Sequence, residues 1–202
     1  MMMESAFPPR SNIAGIILAA GGASRMGLPK LMLPWHGQPL IRHTAQVAIE
    51  SGLDPIIVVT GSNAFEISTA LSECEVQLVH NPDWNNGQST SVKQGVNSLP
   101  EQTRAVVFLL GDQPFVSVDL LQALVTRYLE TSPKILAPFV NGKRSNPVIF
   151  DRSVFALFQQ LEGDKGARGL FEQYPPAALP WSDERILLDI DTPEDYQNLQ
   201  NK

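Results

Sequence analysis

The residues whose types could do chemistry fall in a few short stretches, and the first is Leu18-Ala19-Ala20-Gly21-Gly22-Ala23-Ser24-Arg25-Met26-Gly27-Leu28-Pro29-Lys30. It directly follows the apolar run Ile13 to Ala20 and combines three glycines with two cations. Glycine lets a backbone approach a ligand closely, and exposed N–H groups in such a loop form an anion-binding nest. Arg25 adds a planar fork and Lys30 a point charge, so the chemistry offered is phosphate binding. It is neither a Walker A loop, because Leu28-Pro29 precede Lys30, nor a G-x-G-x-x-G dinucleotide fingerprint. A plain flexible connection with two solvated cations is the competing reading.

Carboxylates come next. Asp112 in Gly111-Asp112-Gln113-Pro114 follows the apolar run AVVFLL, where a hard oxygen ligand can hold Mg²⁺. The same residue types also make ordinary turns. In Asp189-Ile190-Asp191-Thr192-Pro193, strand alternation would put Asp189 and Asp191 on one face, with Asp191 as a second metal carboxylate. Helix-entry chemistry at Thr192 is the alternative.

Polar and basic stretches complete the set. Asn81 to Ser91 carries amides and hydroxyls suited to a base edge or ribose, and equally to an N-capped loop. Lys143-Arg144-Ser145-Asn146-Pro147 and Gly163-Asp164-Lys165-Gly166-Ala167-Arg168 offer cations for a second anionic substrate, or simply solvated charge. His36, His43 and His80 share no metal-ligand spacing, and His43 falls inside an expected helix, where packing is its ordinary role.

The elements that must position these residues alternate along the chain. Ile13–Ala20, Pro55–Thr60, Val76–Val79 and Ala105–Leu110 read as strands, the longer ones buried on both faces. Pro39–Ser51, Asn63–Leu71, Ser89–Leu99 and Val118–Leu129 read as helices. Lys134–Val140, the turn Asn141-Gly142 and Asn146–Phe150 suggest a hairpin. Short helices over 154–161 and 167–173, a strand Ile186–Ile190 and a terminal helix opened by Thr192 and Pro193 follow. Strand–helix alternation predicts a three-layer α/β fold, Rossmann-like, around a mostly parallel sheet, with ligands beyond the carboxyl ends of its strands. One domain over 13–202 behind a flexible tail, 1–12, is expected from the 202 residues.

Bulk properties narrow the function classes. Hydrophobic residues make up 43% and charged residues 18%, as in globular proteins generally. No apolar run reaches the roughly 18 residues of a membrane span, and the start has no signal-peptide pattern. The single cysteine, Cys74, excludes an internal disulfide. A net charge of −6 gives no basic face for nucleic acid. A cytoplasmic protein without membrane or nucleic-acid partners is expected.

Leu18-Ala-Ala-Gly-x-x-Ser-Arg-Met-Gly-x-x-Lys30 resembles the signature of the molybdenum-cofactor nucleotidyltransferases, the MobA-like NTP transferases. The resemblance continues through Pro39-Leu40, Asn81-Pro-x-Trp84, Gly87-x-x-Thr-Ser91, Gly111 to Pro114, Asn146-Pro-Val, Gly163 to Arg168 and Asp189 to Asp195. Ala19-Ala20-Gly21 and the later motifs are similar to the cytidylyltransferase branch. Ser145 and Ser89 depart from it, standing where glycine is common. The resemblance implies CMP transfer from CTP to the terminal phosphate of molybdopterin–molybdenum, with Mg²⁺ as cofactor and a molybdenum hydroxylase as client. It further implies that Ala20, Gly21 and Gly22 hold the phosphates, while Arg25 and Lys30 neutralise their charge. Asp112, with Asp191, would hold Mg²⁺. Leu18, Ala19, Asn81, Gly87 and Ser91 would meet base and ribose, and Asn146 and Arg168 the pterin. GTP or a sugar phosphate as substrate, and a non-catalytic cofactor carrier, are the rival readings.

Overall fold

Alternate residues of one strand feed two separate cores, and this sets the architecture. The computed structural model describes residues 12–22 and 29–199. In it Ile13–Ala19 forms β1, which is buried along nearly its whole length. Ile13, Ile17 and Ala19 face one apolar core, while Ala14 and Ile16 face the other. A fully buried Ile is worth roughly 1.5–3 kcal/mol over an exposed one, so β1 cannot shift register without exchanging both faces.

The remaining elements are β2 (Pro34–Trp35), β3 (Gln38–Pro39), α1 (Leu40–Glu50), β4 (Ile56–Thr60), α2 (Ala64–Ala70), β5 (Gln77–His80) and α3 (Gln88–Asn97). They continue as β6 (Ala105–Leu110), α4 (Val118–Thr131), β7 (Ile135–Val140), β8 (Lys143–Arg144), β9 (Val148–Asp151), β10 (Ala177–Pro180) and α5 (Pro193–Leu199). The main sheet runs β10-β7-β9-β6-β1-β4-β5, with β8 paired to β7, and β2 and β3 form a separate small ribbon. β6, β1, β4 and β5 are parallel neighbours, β10 is parallel to β7, and β9 runs antiparallel between β7 and β6.

Residues of α1, α2 and α4 fill one core and residues of α3 with the 152–160 and 163–170 turns fill the other. The three-layer, mostly parallel α/β expectation therefore holds. α3 comes very close to the sheet because Gly95 has no side chain. A Cβ there would lie 2.9 Å from Ile16 and 3.1 Å from Val59. Among the described residues no helix is long and apolar enough to cross a membrane.

The first four strands, four long helices and hairpin form where the pattern placed them, within a residue or two. Asn141 and Gly142 both take positive φ, as a tight hairpin turn requires. The expected short helices are 3₁₀ turns, Arg152–Gln160 and Gly163–Leu170. The expected strand Ile186–Ile190 does not form. Its backbone is claimed by loops instead. The Ile186 carbonyl accepts from Ser145 Oγ at 2.8 Å, and Ile190 N–H donates to the Asp112 carbonyl at 3.0 Å. The strand at that edge is β10, in a proline-flanked stretch that carried no strand signal. Strand alternation is therefore not what relates Asp189 to Asp191. Residues 1–11 of the expected tail lie outside the described residues.

Candidate active site

The site is assembled at the carboxyl ends of β1 and β6. β6 stops at Leu110, and Gly111 follows against the 3₁₀ turn Lys30–Met32. A Cβ on Gly111 would lie 2.9 Å from Leu31 Cδ2, so glycine lets this turn settle on the strand end. That brings Lys30 onto the next residue. Lys30 Nζ donates to Asp112 Oδ2 at 2.5 Å and to Asp191 Oδ1 at 3.1 Å.

Several bonds fix the loop that carries Asp112. Gln113 Nε2 donates to Asp189 Oδ1 at 2.6 Å, beside the Ile190-to-Asp112 backbone bond. His43 Nε2 lies 3.1 Å from the Pro114 carbonyl, an arrangement in which the ring N–H donates. In the segment that carries Asp191, Asp195 Oδ2 accepts from Thr192 N at 2.8 Å and Asp191 N at 3.2 Å, while Asp195 N donates to Thr192 Oγ1 at 3.1 Å. This reciprocal cap starts α5 with Thr192 as N-cap, as the sequence suggested, and aims Asp191 back at Lys30.

The electrostatics follow from this packing. Burial disfavours charge on Lys30, but the Asp112 charge and the bonds to Asp112 and Asp191 more than compensate, so its pKa lies above the ordinary 10.5. Burial also pushes the Asp189 carboxyl up, partly opposed by the Gln113 bond. Lys30, Asp112 and Asp191 together carry one net negative charge. Such a trio attracts a dication and repels a bare triphosphate. Among the described residues no group of three or more His, Cys, Asp or Glu could hold a metal. Two hard carboxylates suit Mg²⁺, which typically takes one or two and completes its shell with phosphate and water.

Beside the trio lies a cleft of roughly 370 Å³ that Asp191 shares. Leu18, expected to meet base and ribose, lines it together with Asn146 and Arg168, expected to meet the pterin, and with Gln88, Arg144, Lys165 and Phe171. Ala19 ends β1, and Ala20, Gly21 and Gly22 continue from it, with Ser62 Oγ donating to the Gly21 carbonyl at 3.3 Å. Trp84 lies across this segment. A Cβ on Gly22 would meet its ring at 3.2 Å, and one on Gly61 would meet Trp84 Cγ at 2.7 Å. Arg25, the second cation expected to neutralise phosphate charge, lies outside the described residues.

Asn81 and Ser91 are brought to each other. Asn81 Nδ2 donates to Ser91 Oγ at 2.9 Å and Thr90 Oγ1 at 2.8 Å, and its Oδ1 accepts from Asp83 N at 3.0 Å. Both residues are buried, so their side chains lace the 81–91 loop. Gly87, at φ +104°, lets the start of α3 press on the Gly163 backbone, and Gln88 packs against Gly166. Sequence reasoning did not give roles to Gln113, Asp189, His43 or Trp84. Gln113 and Trp84 stood inside the quoted motifs, and Asp189 beside Asp191, so adjacency was the available signal.

A carboxylate–lysine trio and a cation-lined cleft at the carboxyl edge of a mostly parallel sheet define a nucleotidyltransferase-type α/β protein. Residues 15–178 match the MobA-like NTP transferase domain, and the chain belongs to that family. The purine catabolism protein PucB of Bacillus subtilis is 33% identical, covering 91% of this chain and 94% of that protein. The molybdenum cofactor cytidylyltransferase of Escherichia coli is 30% identical, with 92% and 94% covered. Nicotine blue oxidoreductase of Paenarthrobacter nicotinovorans is 28% identical, with 93% and 96% covered. The crystal structure of Rv0371c from Mycobacterium tuberculosis has a TM-score of 0.82 at 28% identity, over 94% of this chain and 98% of that one. A manganese complex of Rv0371c gives 0.77 at 28% identity over the same shares.

Proposed function

We propose that the protein is a cytoplasmic, Mg²⁺-dependent cytidylyltransferase, acting as one unit over residues 13–202, that transfers CMP from CTP to molybdopterin–molybdenum cofactor and releases pyrophosphate. The observation that carries this reading is the Lys30 ammonium between Asp112 and Asp191, opening on the cleft with Arg168 and Asn146. The Ala-Ala-Gly form at 19–21 and the 30% identical cytidylyltransferase support CTP and the molybdopterin acceptor. The manganese complex of Rv0371c supports a divalent metal.

In this reading Asp112 and Asp191 would hold the metal, which when bound neutralises charge on the triphosphate and the leaving pyrophosphate. The N–H groups of Ala20 to Gly22 cradle the phosphates, with Lys30 and Arg25 adding positive charge. Leu18 and Ala19 at the end of β1, with the 81–91 loop through Asn81, Gly87 and Ser91, shape the place for base and ribose. Asn146 and Arg168 face the pterin. A phosphate nucleophile arrives ionised, so positioning and electrostatic stabilisation do the work.

Pyrophosphate release measured with CTP or GTP, crossed with molybdopterin cofactor or a sugar phosphate, tests this. Release with CTP and the pterin is expected. Release only with GTP or only with the sugar phosphate would replace the substrate, and cofactor binding without any release would make the protein a carrier. The client would then be sought among molybdenum hydroxylases.

A further inference from the structure

One cation already stands where two carboxylates converge. Lys30 Nζ lies 2.5 Å from Asp112 Oδ2 and 3.1 Å from Asp191 Oδ1, and among the described residues its side chain bonds nothing else. The carboxylates come from separate segments, one just after β6 and one just before α5, and the single ammonium bridges them. Without it, two like charges would face each other. The backbone beneath Lys30 is fixed. Met32 N–H donates to the Pro29 carbonyl at 2.8 Å and Leu33 N–H to the Lys30 carbonyl at 3.1 Å, while Leu31 and Met32 pack against the core. The ammonium itself ends a flexible aliphatic stem on a side chain that is 24% exposed, so the head group can leave while the turn stays.

Carboxylates that hold a small hard dication do so at about 2.0–2.1 Å, closer than an ammonium approaches them. One place between two carboxylates therefore takes one cation, and two cations there would repel each other strongly. We propose that Lys30 is a resident competitor for the divalent metal: in the nucleotide-free protein its ammonium fills the position between Asp112 and Asp191, and metal binds weakly until a triphosphate offers Lys30 another anionic partner. This rests on the reading that Asp112 and Asp191 hold the metal. Metal and nucleotide then bind interdependently, since each favours the arrangement in which Lys30 has left the carboxylates. The free protein neither traps stray dications nor turns two bare carboxylates towards an incoming polyanion.

The competitor is tested with Mn²⁺ and the full-length protein without nucleotide, following the loss of the free ion's paramagnetic signal. Lys30→Met keeps the apolar stem and removes the charge. It should bind Mn²⁺ at least about ten-fold tighter than the unsubstituted protein, because apparent affinity scales with the fraction of molecules whose carboxylates are free. Lys30→Arg, which keeps a cation, should bind as weakly as the unsubstituted protein. Adding Asp112→Asn to Lys30→Met should abolish the gain. Thermal melting supplies a second readout and a check on folding. Lys30→Met should melt lower without metal, and Mn²⁺ should raise its melting temperature more than that of the unsubstituted protein. Equal Mn²⁺ affinity in Lys30→Met and the unsubstituted protein, with weaker binding in Asp112→Asn, would overturn the competitor and leave the metal reading standing. Mn²⁺ binding indifferent to both Asp112→Asn and Asp191→Asn, or a gain that survives Asp112→Asn, would reject the two together. The expected gain in a protein that releases no pyrophosphate from CTP keeps the competitor and rejects the transfer reading.

Discussion

The two sides of the site are held in opposite ways. Around Lys30, opposite charges already meet, and the loops that carry them are tied by the Gln113–Asp189 and Ile190–Asp112 bonds. Around Arg144 and Arg168, like charges meet, and Arg168 sits on a 3₁₀ turn interrupted by Gly166 at φ +54°. The first side sets two carboxylates around one ammonium, and the second gathers guanidinium groups that form no ion pair among the described residues.

The largest expected effect breaks the first side. Lys30→Ala removes the charge that bridges Asp112 and Asp191, and turnover in pyrophosphate release should fall by about 10²–10³-fold, as when one preorganised donor is lost. An unchanged rate would remove Lys30 from the chemistry. Next, Gln113→Leu frees Asp189 and loosens the loop behind Asp112. The Mg²⁺ concentration for half-maximal activity should rise by roughly 10–100-fold, the usual consequence of losing a residue that orients a metal ligand. A variant with the wild-type metal requirement would show that the clamp does not orient Asp112.

Smaller effects sharpen the contrast through stability. Ser145→Ala leaves the Ile186 carbonyl without its 2.8 Å partner, and urea unfolding should show a loss of about 1–3 kcal/mol. A glycine at 145 would test whether this serine, a departure from the family habit, stiffens the second side. The smallest effect is a pH slope. Burial holds the His43 pKa below its ordinary 6.5, so the folded state favours the neutral ring. Its contribution is complete above pH 6.5 and is lost as pH falls below that value. Unfolding free energies at neutral and acidic pH should converge more in His43→Gln than in the unsubstituted protein, and identical slopes would count against the assignment.

The sheet was legible because β1, β4 and β6 are continuous apolar runs closed by glycine, signals that depend on a few neighbouring residues. Lys30, Asp112 and Asp191 were legible as types, and so was the place of Lys30 and Asp112 in the segments that follow β1 and β6. What could not be read was the reason Asp189 and Asp191 share a side. Strand alternation suggested it, whereas the structure achieves it through Gln113 and a helix cap, contacts between residues far apart in sequence. Asn81 and Ser91 illustrate the same limit, since an amide and a hydroxyl suit a nucleotide base as well as they suit each other. β10 was hidden because Pro175, Pro176 and Pro180 read as loop, yet an edge strand tolerates proline where a central one does not.

The cap on α5 ties chemistry to the far end of the chain. Tyr196 OH donates to the Pro34 carbonyl at 2.6 Å, and Leu199 is buried with Trp35, Leu40 and Ile190, so this last helix is anchored beside the ribbon that follows Lys30. Asp191 takes its aim from the first turn of that helix. A stop codon just after position 191 would spare the entire sheet and still blunt the reaction, because the carboxylate would lose the anchor that points it.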